Sequence, residues 1–83
     1  MSSNNQTQVE NFSPMTSSAE ALFDLGMKYC VANSFIEAHK WFNLAALKGN
    51  DSAKFYRCDI SREMSAGDIA EAQRQARALL TIH

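Results

Sequence analysis

One stretch constrains this chain more than any other. From Ala19 it runs A-x-x-L-x-x-L-G-x-x-Y, breaks briefly, and resumes at Ala38 as A-x-x-W-F-x-x-A-A-x-x-G-x-x-x-A, ending at Ala53. Leu22, Leu25, Gly26 and Tyr29 fall on one face of a helix, and Ala38, Trp41, Phe42 and Ala45 fall on one face of a second. Two helices that each carry a single apolar stripe bury those stripes against one another. The stretch therefore predicts a helical hairpin.

The hairpin is expected twice. Ala19 and Ala53 are 53 − 19 = 34 positions apart, as are Ala38 and Ala72, which is a period found in helical repeats. In the second copy Ile60 and Ala76 stand where the first has Gly26 and Phe42, so large and small change places while the bulk of the pair is kept. Asp59 and Glu63 replace Leu25 and Tyr29, a more polar pattern of the kind a terminal repeat carries.

Helix starts are marked by capping boxes at Ser17 to Glu20, Ser34 to Glu37 and Ser65 to Asp68, with Asn50 or Asp51 as a plainer cap. These signals place helices over 18–32, 35–48, 51–64 and 66–81. Residues 1–16 are rich in Ser, Asn, Gln and Thr, with isolated Val9, Phe12 and Met15 and neither helical nor strand period. They read as a disordered tail, leaving 17–83 as one all-α domain of two antiparallel helical hairpins, four helices in all.

On the 34-residue register Gly26, Tyr29, Ala38, Phe42 and Ala45 occupy the eighth, eleventh, twentieth, twenty-fourth and twenty-seventh positions. Those five resemble the tetratricopeptide pattern. The W-F-x-x-A-A-x-x-G run from Trp41 to Gly49 is similar to the bacterial Sel-one-like branch of that superfamily, although the link at Val31 to Asn33 is shorter than the branch's usual glycine-rich one. The resemblance implies an α-solenoid fragment that acts as a non-enzymatic adaptor, holding another protein in the bacterial cytoplasm. It also implies a concave groove lined by the second, fifth, ninth and twelfth positions of each first helix. Carried onto this chain, those are Glu20, Phe23, Met27 and Cys30, then Lys54, Arg57, Ser61 and Met64.

Stable solenoids usually stack three or more repeats, and this chain has two at most. Something is expected to cover the remaining apolar face, either a partner or a second copy burying Phe23 and Met27. A self-association module acting as a regulator is accordingly the alternative to the adaptor.

Other classes find little support. The formal charge of −1 and the mixing of Arg57, Arg62, Arg74 and Arg77 with Asp59, Glu63, Asp68 and Glu71 argue against nucleic acid, which needs clustered basic residues. The first eleven residues hold neither a basic start nor an apolar run, so no signal peptide or membrane span is expected. His39 and His83 lack Cys or His at metal-ligand spacing, and His39 reads as a surface or hairpin-groove residue. Nucleophile elbow and phosphate loop are both missing. No cofactor, metal or catalytic residue is expected. Cys30 and Cys58 sit about six residues apart in height on neighbouring helices, roughly 9 Å. They are expected to be free, buried thiols.

Overall fold

The computed structural model describes residues 16–81, and every regular element among them is helical. The expected tail, apart from Thr16, lies outside those residues. Helix α1 spans Ala19–Val31, α2 Phe35–Leu47, α3 Asp51–Ser61 and α4 Ala66–Thr81.

The capping chemistry differs in detail from its expected form. Ser18, not Ser17, caps α1, its Oγ accepting from the Ala21 amide at 3.0 Å. Asn50 caps α3, accepting from the Ala53 amide at 2.8 Å, and Ser65 Oγ accepts from the Asp68 amide at 3.1 Å before α4. Ser34 sits at the cap of α2 without a side-chain bond. The backbone there is already committed to closing α1. Asn33 adopts φ 61°, its amide donates to the Cys30 carbonyl, and the Ser34 amide donates back to Tyr29. That is a Schellman closure, with a left-handed residue satisfying two orphan carbonyls. The same device ends α2, where Gly49 has φ 104° and the amides of Gly49 and Asn50 donate to Ala46 and Ala45. Helix α3 stops at Ser61, short of the expected residue 64, because the amides of Arg62, Glu63 and Met64 each bond three residues back and tighten the chain into a terminal turn.

Helix α2 is the spine. It buries Ala38, His39, Phe42, Leu44 and Ala45 and closely approaches α1, α3 and α4, whereas α3 and α4 stay apart from one another. Small residues set the closeness of the first pair: a Cβ added at Gly26 would lie 2.5 Å from Cδ1 of Phe42, so the bare backbone of α1 receives the ring. The size-swapped positions Ile60 and Ala76 are both buried in the same core cluster as Phe42. Ala38 and Ala72, 34 residues apart, are both fully buried.

Candidate protein-binding surface

The eight expected groove residues divide by environment. On α1, Glu20 is exposed, while Phe23, Met27 and Cys30 are half-buried and rest against the core. Phe23 is tied in on two sides, its ring centroid 5.7 Å from Phe42 and 5.7 Å from Tyr56. Phe42 and Tyr56 are themselves stacked at 5.9 Å, so three rings from α1, α2 and α3 form one cluster. Ring pairs of this kind add about 0.5–1.5 kcal/mol each beyond burial.

On α3, Lys54 is exposed and only loosely paired, 3.9 Å from Asp51. Arg57 is half-buried and donates from Nη1 to Oδ1 of Asn43 at 2.7 Å, so its guanidinium leans onto α2. The Ser61 hydroxyl donates to the Arg57 carbonyl at 2.7 Å, a local back-bond. Met64 lies beyond the end of α3. It lines a cavity of about 300 Å³ between the α1–α2 link and the α3–α4 link, with Asn33, Ser34, Phe35, Ile36, Glu37, Glu63 and Asp68. The structure thus brings Phe23 beside α3 through Tyr56, and takes Met64 to a separate cavity.

Tyr56 was absent from the expected set, and its signal was the period itself: it stands 34 residues after the buried Leu22. Phe55, 66% exposed and edge-on to Tyr56, carried no pattern that marked it.

His39 corrects an expectation. It is only 2% exposed, because α2 is covered on three sides and leaves little room for a surface histidine. Burial holds its imidazole below the ordinary value of 6.5, and the positive charge of Arg57 adds to that, so the ring is neutral at pH 7. The thiols also differ from expectation: Cys30 is half-buried and Cys58 exposed, both free. Cys58 faces outward because α3 buries only the stripe through Ala53 and Ile60. Trp41 is half-buried against the core, with Lys40 Nζ 5.1 Å from its ring centroid. Among the described residues no three His, Cys, Asp or Glu side chains are placed to hold a metal ion, and no helix is long and apolar enough to cross a membrane.

Comparison with protein-family models, curated proteins and solved structures finds no match for this chain.

Proposed function

We propose that the domain is a non-enzymatic adaptor that docks a protein partner along α1 and α3, in the manner the Sel-one-like resemblance implies. The observation that carries this reading is the ring cluster of Phe23 and Tyr56, half-buried, beside exposed Lys54 on the neighbouring helix. A partner segment lays an apolar anchor over Phe23 and Met27 and brings a carboxylate to Lys54, where a charge-assisted hydrogen bond sets its register. The setting proposed is the cytoplasm of a bacterium, without cofactor, metal or nucleic acid. The alternative, a self-association module, draws its support from Phe55, a large apolar side chain standing in solvent on the same helix.

Charge reversal tests the adaptor without disturbing the core. Lys54→Glu abolishes retention of the partner that the wild-type chain captures from its host, while Arg74→Glu on exposed α4 leaves it unchanged. Equal retention by both variants would remove α1 and α3 as the docking face. Light scattering over a concentration series then separates the alternative, since a dimer that dissociates on Phe55→Ser places self-association there.

A further inference from the structure

The first hairpin has a second flank, away from α3. With Gly26 set against Phe42, helical geometry turns Leu25 and Tyr29 of α1 and Trp41 and Lys48 of α2 to one side, opposite the side on which Phe23 meets Tyr56. Tyr29 and Trp41 rest against the core, and Leu25 is half-buried. The positions 34 residues later are Asp59, Glu63 and Gln75, all polar. Only the first hairpin, then, presents an apolar flank here. A face of that kind, at the start of a stacked pair, calls for a cap.

The chain itself arrives at that flank. Lys48 Nζ donates to the Ser17 carbonyl at 2.8 Å, so the segment preceding α1 enters beside the end of α2. Phe12 is five residues before Ser17, a reach of up to about 17 Å when extended. Trp41 is seven residues before Lys48, about 10 Å back along the helix. Val9, Phe12 and Met15 are the apolar side chains available over this distance, recurring at every third position.

We propose that residues 9–15 fold back over the flank formed by Leu25, Tyr29 and Trp41, with Phe12 covering the Trp41 ring. A tethered segment has an effective concentration in the millimolar range, which favours it over a second copy of the chain at the same face. It closes the first hairpin as a cap would, and leaves the α1–α3 face as the one open to partners. The two proposals concern opposite flanks, so loss of either leaves the other standing.

Trp41 is the single tryptophan and reports directly on the contact. In the full chain, Phe12→Ser combined with Met15→Ser is expected to red-shift its emission and increase acrylamide quenching while helical circular dichroism holds. Phe12→Leu, which keeps an apolar cover, is expected to restore the shielded spectrum. Unchanged emission and quenching in the double Ser variant would overturn the proposal. So would a Phe12→Leu chain quenched as strongly as the Ser variant, or shielding in the wild type that disappears on dilution, which would assign the cover to a second copy.

Discussion

The two hairpins share a period and differ in how they are held. The first closes tightly: Gly26 admits the Phe42 ring, Ala38 and Ala45 are fully buried, and a left-handed Asn33 reverses the chain in a short link. In the second, α3 and α4 stay apart and each leans on α2 instead. The α4 seam is polar. Lys40 Nζ donates to Gln75 Oε1 at 3.1 Å and pairs with Glu37 at 2.8 Å, Gln75 Nε2 donates to Glu71 at 2.8 Å, and Glu71 also pairs with Arg74. Gln75 occupies the position that Trp41 holds in the first repeat. The difference teaches that a repeat conserves which positions are buried more faithfully than how closely the helices carrying them pack.

The comparison breaks most visibly at its ring. Phe42→Ala empties the centre of the first hairpin and should cost about 3–5 kcal/mol, whereas Ala76→Gly at the matching position should cost about 1 kcal/mol. Chemical denaturation of each variant checks the pair. Gly26→Ile should cost about 1–3 kcal/mol or more, since the added branch meets a ring that is fully buried. Joined to Phe42→Ala it recreates the arrangement of Ile60 and Ala76, and part of the summed loss should return. A double variant no better than the sum of the singles would show that the two positions do not face each other.

A smaller effect comes from the link after α2. Gly49→Ala places a Cβ in open space, yet at φ 104° it should cost about 1–2 kcal/mol from backbone strain alone. Asn33→Gly, at the left-handed turn of the first hairpin, should be close to neutral in the same thermal melts.

The smallest effect is a slope with pH. Because the folded chain holds the His39 pKa below 6.5, the unfolded chain binds more protons as pH falls beneath that value. Stability contributed by neutral His39 is complete above 6.5 and declines with acidification until the folded-state pKa is reached, by less than about 1.4 kcal/mol per pH unit. His39→Gln should flatten that part of the profile. A histidine-independent slope would place the titrating group elsewhere.

Much of this fold was legible in the residues. The stripes through Leu22 and Gly26, and through Ala38, Phe42 and Ala45, mark the first hairpin because small and apolar residues recur at helical spacing there. Three starts carried capping signals, yet adjacent Ser17 and Ser18 are chemically equal as caps, and only the tertiary path, in which Lys48 takes the Ser17 carbonyl, separates their roles. The early stop of α3 left no mark either, since Arg62, Glu63 and Met64 are all ordinary helix formers. His39 was misplaced because an isolated hairpin would leave its flank in water, and it takes the arrival of α3 and α4 around α2 to bury it. Phe23 was recognised as one wall of the surface. Its ring partner Tyr56 was hidden by a change of residue type at a repeated position.

Hydrogen exchange resolved by residue measures most directly whether α2 is the spine of the molecule and the first hairpin its firmest unit. The slowest amides should lie in the middle of α2 and on the facing side of α1, around Ala38 to Ala45 and Leu22 to Gly26, with α3 and α4 opening at lower free energy. Protection that is equal in all four helices, or greatest in α4, would contradict the account.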